Sequence, residues 1–263
     1  MNEKGLSAGL FYFPDYGKYE EYSEANHETN ISDFQLVSYI LGRCATVDEV
    51  KAEIARVHIH GFDPRSSTVH WRFAEPSGRQ IVLEIIDGKC VFYENTLGVL
   101  TNSPSFDWQL TNLNNYVNLL PGRTEPHTLG NMSLSSFGGG SAMLGLPGDF
   151  TPPSRFVRAA FFQNTAPQKP NAEGSVFTAF HILGSMEIPI GAQFAVGEAP
   201  ADIPSATQCT CVSDMSGLRF YYRSMYDGGI RCIDLKEIDF KKIGLKSEPL
   251  IPSRKEFVHY IRF

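Results

Sequence analysis

The stretch Gly98-Val99-Leu100-Thr101-Asn102-Ser103-Pro104-Ser105-Phe106-Asp107-Trp108-Gln109-Leu110 marks the point where one kind of sequence periodicity gives way to another. Upstream of it apolar residues recur every second position, and Thr68 to Phe73, Gln80 to Ile86, Lys89 to Glu94 and Leu97 to Thr101 read as successive strands. Asp87-Gly88 lies between the second and third of these, where a tight hairpin turn needs two residues that tolerate positive φ. Downstream of Pro104 the spacing becomes helical, with Phe106, Leu110, Leu113 and Val117 on one side.

The same reading extends in both directions. Leu10-Phe11-Tyr12-Phe13 has the composition of a buried strand, and Asp15 to Glu28 is an acidic, Tyr-rich surface loop. Phe34, Val37, Ser38 and Leu41 share one helical face in a run that Gly42 ends. Thr46 is a good helix N-cap, with Asp48 and Glu49 in the following turn and an apolar stripe of Val47, Val50, Ile54 and Val57. Pro121 to Phe150 is Gly- and Ser-rich and too long for an ordinary connection, which points to a functional or assembly element. Helices are expected at Ser154 to Phe162 and Ser175 to Met186. Strands follow at Ala192 to Val196, Thr207 to Asp214, Leu218 to Arg223 and Ile230 to Leu235, with a hairpin turn at Asp227-Gly228-Gly229. No internal repeat or composition break divides the chain. The expectation is therefore one α+β domain spanning 1–263, with sheets sandwiched between helical layers.

Bulk properties remove several function classes. A 263-residue chain with 42% hydrophobic residues can bury a large core, and 20% charged residues is ordinary for a folded protein. A net charge of -6 with scattered basic residues argues against a nucleic-acid partner. No apolar run reaches the roughly 18 residues of a membrane span. Five irregularly spaced cysteines (Cys44, Cys90, Cys209, Cys211 and Cys232) disfavour a disulfide framework and suit a reduced, cytoplasmic protein.

Two polar residues stand out in tight, proline-bounded turns. Asn102 leaves an apolar strand just before Pro104. Arg155 opens a helix in Leu146-Pro147-Gly148-Asp149-Phe150-Thr151-Pro152-Pro153-Ser154-Arg155-Phe156. An amide donor and a guanidinium fixed on rigid turns suit a site that steadies negative charge on an oxygen. Each also has a plain structural reading, Asn102 as a turn former and Arg155 as a surface or ion-paired side chain with Arg158 as its competitor.

These two stretches, together with Asn2-Glu3-Lys4-Gly5-Leu6, resemble the choloylglycine hydrolase family, in order and through nearly the whole chain. The family comprises N-terminal-nucleophile amidases such as bile salt hydrolases and penicillin V acylases. The resemblance implies a four-layer αββα sandwich and hydrolysis of a linear amide C–N bond without metal or organic cofactor. It implies that Asn102 contributes to an oxyanion hole and that Arg155 lies near a nucleophilic thiol. It implies that Tyr12 speaks to substrate, since the matching position commonly holds Asn in bile salt hydrolases and Tyr in penicillin V acylases. The family's Cys at the mature N-terminus precedes the Asn-Glu-Lys-Gly-Leu segment. The expectation is thus an N-terminally truncated, inactive chain that lacks the first strands of the fold, and a homotetramer when complete. A penicillin V acylase-like amidase is the first reading, conjugated bile salt hydrolysis the second, and a non-catalytic remnant the third.

Rival chemistries find little support. Cys209 and Cys211 share a strand face without a second pair at metal-ligand spacing, and neither an H-E-x-x-H nor a G-x-S-x-G motif is present. Gly138-Gly139-Gly140 lacks the Lys-Ser/Thr of a phosphate-binding loop.

Overall fold

The computed structural model describes residues 1–63, 67–198 and 205–262. The chain begins with β1 (Ser7–Tyr12), β2 (Asn30–Ser32), α1 (Leu36–Leu41), α2 (Val47–Ile54) and β3 (His58–His60). A meander follows, made of β4 (Val69–Ala74), β5 (Gln80–Ile86) and β6 (Lys89–Glu94), and then α3 (Phe106–Asn112). The excursion 121–150 contains β7 (His127–Leu129) and β8 (Met132–Leu134). Two longer helices, α4 (Pro152–Thr165) and α5 (Ala172–Gly184), precede β9 (Cys209–Asp214), β10 (Arg219–Ser224) and β11 (Arg231–Asp234).

Two antiparallel sheets organise the fold. The first has the order β1-β4-β5-β6 and the second β11-β10-β9, while β2-β3 and β7-β8 form separate pairs. One face of the first sheet carries Trp71, Phe73, Ile81, Leu83 and Ile85, which pack with Leu36, Ile40, Val47, Val50 and Ile54 of α1 and α2. On its other face Val82 packs with Val99, Phe106, Phe156 and Ala160, bringing α3 and α4 against the sheet. Helix α5 lies on β9 of the second sheet. No helix among the described residues is long and apolar enough to cross a membrane.

Local chemistry explains many of the boundaries. The Thr46 hydroxyl accepts from Glu49 N–H at 3.2 Å, and the Glu49 carboxylate accepts from Thr46 N–H, so a reciprocal capping box starts α2. Asp87 and Gly88 turn the β5–β6 hairpin at φ of 49° and 71°. Asn2 donates to Leu41 O and Cys44 O at 2.9 and 2.8 Å while accepting from Lys4 and Leu6 N–H, so it fastens the start of the chain to the end of α1. Gly5, at φ 82°, lies so close to Met215 O that a Cβ would sit 2.4 Å from it.

Several expectations are corrected. Leu97–Thr101 is not a strand: Asn95 bonds both Val99 O and Gly98 N–H, so this backbone is satisfied by side chains rather than a neighbouring strand. The strand β1 is present but not buried, because it lies at the edge of its sheet with Leu10 and Tyr12 exposed and only Phe13, just beyond it, enclosed. The buried side of α1 is Leu36 and Ile40, not the side holding Phe34 and Ser38. Helix α3 ends at Asn112 in a turn of 3₁₀ helix and buries Phe106 and Gln109, leaving Leu110 and Val117 exposed. Ala192–Val196 forms turns, not a strand.

The buried side of α1 is where that helix contributes to stability. Leu36→Ala is expected to cost about 2–5 kcal/mol, whereas Phe34→Ala, at an exposed position, should stay within about 0.5 kcal/mol. Urea unfolding of both variants checks this, and equal costs would contradict the assignment.

Candidate active site

Three segments distant in sequence meet at the Asn102 turn. Its carboxamide nitrogen donates to Tyr12 O at 2.7 Å, and its carboxamide oxygen accepts from Arg155 Nη2 at 2.7 Å. Neighbours reinforce both joins: Ser103 Oγ donates to Pro14 O at 2.6 Å, and Thr101 Oγ1 donates to Pro152 O at 3.1 Å. The Ser103–Pro104 peptide is cis. These side-chain bonds stitch together the end of β1, the turn before α3 and the first turn of α4.

A primary amide nitrogen carries two hydrogens. One points at Tyr12 O, and the other has no protein acceptor among the described residues. The Arg155 guanidinium draws charge from the amide oxygen, which makes that remaining N–H a better donor. Arg155 is itself fixed by Nε donating to Phe150 O at 2.9 Å. Half-buried and close to Arg158, its guanidinium is held below the ordinary arginine range, first by desolvation and then by the neighbouring charge.

Arg155 and Arg158 take different positions, and of the two only Arg155 contacts Asn102 among the described residues. Arg158 is buried and donates to Pro147 O and Asp149 O at 2.8 and 2.5 Å, with its charge over the Phe150 ring. It braces the loop that supplies Arg155's backbone acceptor. Asp149 closes the same loop by accepting from Ser154 Oγ, Thr151 Oγ1 and Thr151 N–H. Those bonds, Ser154 foremost, hold its carboxyl down at about 2.

All three sequence-marked residues therefore converge, although Tyr12 does so unexpectedly. Its backbone carbonyl, not its hydroxyl, meets Asn102, and the ring stays exposed. The carbonyls of Tyr12 and Phe150 carry no side-chain signal, so composition could not mark them. Among the described residues no cluster of His, Cys, Asp or Glu could hold a metal ion. The five cysteines are all free, and Cys44 is buried.

Residues 1–248 match the family model described as linear amide C-N hydrolases, choloylglycine hydrolase family. The chain is 35% identical over 242 residues to the bile salt hydrolase/transferase of Clostridium perfringens (strain 13 / Type A), covering 90% of this chain and 72% of that one. It is 29% identical over 264 residues to the penicillin V acylase of Pectobacterium atrosepticum, covering 93% of this chain and 63% of that one. A crystal structure of an arginine-to-leucine variant of conjugated bile acid hydrolase from Clostridium perfringens superposes with a TM-score of 0.83 at 31% identity. That match covers 100% of this chain and 79% of the other, and gives the described residues the αββα architecture of N-terminal-nucleophile hydrolases.

The Asp149 network predicts an acid response. Its folded-state value is depressed, so its contribution is present above the ordinary carboxylate range and is lost as pH falls toward 2. The urea midpoint should therefore drop between about pH 4 and pH 2, and drop less in Asp149→Asn, which has no charge to lose. Identical pH profiles for the two proteins would contradict this.

Proposed function

Because this chain belongs to the choloylglycine hydrolase family of linear amide C–N hydrolases, we propose that Asn102 and Arg155 form the oxyanion-stabilising side of an amidase site acting on conjugated bile salts. The observation that carries the reading is the Asn102 carboxamide, clamped by Arg155 and Tyr12 O with one N–H uncommitted. In the proposed reaction the α-amino group of an N-terminal cysteine takes the thiol proton, to pass it on to the leaving amine, and the thiolate attacks the amide carbonyl, forming the S–C bond and pushing the π pair onto oxygen. The uncommitted Asn102 N–H donates to that oxyanion, which exists only in the transition state and intermediate. Collapse breaks the C–N bond, the amine leaves with a proton, and water cleaves the thioester to the free acid. Arg155 holds a positive charge beside the site, which favours thiolate over thiol.

Glycine- or taurine-conjugated bile salts are the favoured class because the bile salt hydrolase/transferase relative is 35% identical, against 29% for the penicillin V acylase. The second reading, a penicillin V acylase, is favoured by Tyr12, which by the family resemblance corresponds to a position commonly Tyr in penicillin V acylases, and whose ring is exposed beside the Asn102 contact. The exposed excursion 121–150, with Leu129, Met132, Phe137 and Leu144 in solvent, supports association of copies into the homotetramer. The odd number and irregular spacing of the cysteines support a reducing, cytoplasmic setting.

The five cysteines lie inside the chain, so none offers the α-amino group that the reaction uses as its base. The protein to assay is therefore one that presents a Cys as its first residue ahead of this segment. In a protein carrying that Cys, glycocholate hydrolysis is expected to exceed penicillin V hydrolysis. Asn102→Ala should lower kcat by about 10²–10³-fold with little change in KM. An unaffected kcat contradicts the assignment of Asn102, and faster penicillin V turnover selects the second reading.

A further inference from the structure

Directly beneath the Asn102 turn lies a polar pair that the proposed reaction does not use. His70 on β4 and Glu84 on β5 are fully enclosed, with no exposed side-chain surface. His70 Nδ1 meets Glu84 Oε1 at 3.1 Å, and His70 Nε2 meets Thr101 O at 3.2 Å. Glu84 Oε1 also accepts from Phe106 N–H at 2.9 Å. The imidazole is stacked on Phe13 with ring centroids 4.4 Å apart, and Phe11 meets its edge.

The partners fix the proton on one nitrogen. Thr101 O can only accept, so Nε2 carries a hydrogen, and a second proton lies between Nδ1 and Oε1. The pair therefore spans the turn. It grips the carbonyl of the residue before Asn102 and the first N–H of α3, which is the residue four after Asn102. Both of the carboxylate's bonds run through Oε1, while Glu84 Oε2 is buried with no hydrogen-bond partner among the described residues, so losing either bond would leave a further buried polar group unpaired. Gln109, also buried, adds a weaker bond from Nε2 to Asn102 O at 3.4 Å.

We infer that His70 and Glu84 are positioning residues that fix the Asn102 carboxamide by clamping its turn at both ends. The inference rests on Asn102 being the oxyanion donor of the proposed function. Because the pair touches backbone on either side of Asn102 and not the donor itself, its effect on catalysis is through geometry alone.

Glu84→Gln tests the clamp with little change in shape. Oε1 makes both native contacts, so an amide oxygen in its place could accept from Phe106 N–H and Nδ1–H with Nε2–H still on Thr101 O only by stranding a charged imidazole. Either one of the three bonds fails or the amide turns to offer its nitrogen to Nδ1, which moves the Phe106 contact. Leu83→Val, on the opposite face of the same strand, controls for general weakening of the sheet. In 15N-labelled 1–263, Glu84→Gln should shift the Asn102 side-chain amide resonances and speed exchange of Phe106 N–H or His70 Nε2–H at least tenfold. Leu83→Val should leave all of these unchanged. In the Cys-bearing enzyme, Glu84→Gln should lower kcat about tenfold or more with KM within twofold. Unmoved Asn102 resonances in Glu84→Gln, or equal effects from Leu83→Val, would overturn the inference. If the wild-type enzyme turns over no amide, the amidase reading fails, and the resonance and exchange measurements still decide whether the clamp exists.

Discussion

The charge-assisted bond from Arg155 Nη2 to the Asn102 carboxamide oxygen joins the Asn102 turn to α4, two elements also held by Thr101 Oγ1 on Pro152 O and by Phe106 against Phe156. Bonds of this kind contribute about 1.5–3 kcal/mol, enough to select one orientation of an amide that could otherwise flip. With the oxygen committed to Arg155, the nitrogen must face Tyr12 O and the open side of the turn. The loop 147–151 exists in its present shape to make this possible, since Arg158 and Asp149 hold Phe150 O where Arg155 Nε can reach it. Helix α4 then delivers Phe156 to the same core that seats Phe106 of α3. Packing and polar geometry agree, which is the usual mark of a site built to a tolerance.

Much of this is legible in the chain because the decisive signals are local. Gln80–Ile86 and Lys89–Glu94 are strands to the residue, since period-two alternation and Asp87-Gly88 fix both the faces and the turn. Thr46 and Glu49 announce α2 in four residues. Turn chemistry and resemblance single out Asn102 and Arg155, and the fold brings them into contact. What stays hidden depends on long-range partners. Leu97–Thr101 has strand composition, but Asn95 and His70 take up its polar groups. The face of α1 differs from the expected one because Phe34 precedes the helix in a separate 3₁₀ turn, which shifts the phase of the apolar residues. His70 and Glu84 are fourteen positions apart, and only the β4–β5 pairing makes them neighbours.

Family membership and site geometry limit the function differently. Membership gives the class of bond cleaved, while the geometry says which groups of this chain would meet the developing charge. In the proposed reading substrate choice belongs to side chains around the turn, and Tyr12 illustrates the division. Its carbonyl serves the turn whatever the side chain is, which leaves the exposed ring without a part in holding Asn102.

The most direct test of the account is a double-mutant cycle on folding stability with Asn102→Ala and Arg155→Met. Contact through a charge-assisted bond predicts that the double mutant loses less than the sum of the singles, by about 1.5–3 kcal/mol. Additivity within about 0.5 kcal/mol would mean that the two side chains do not engage one another in solution, and the proposed oxyanion site built on their contact would fall with it.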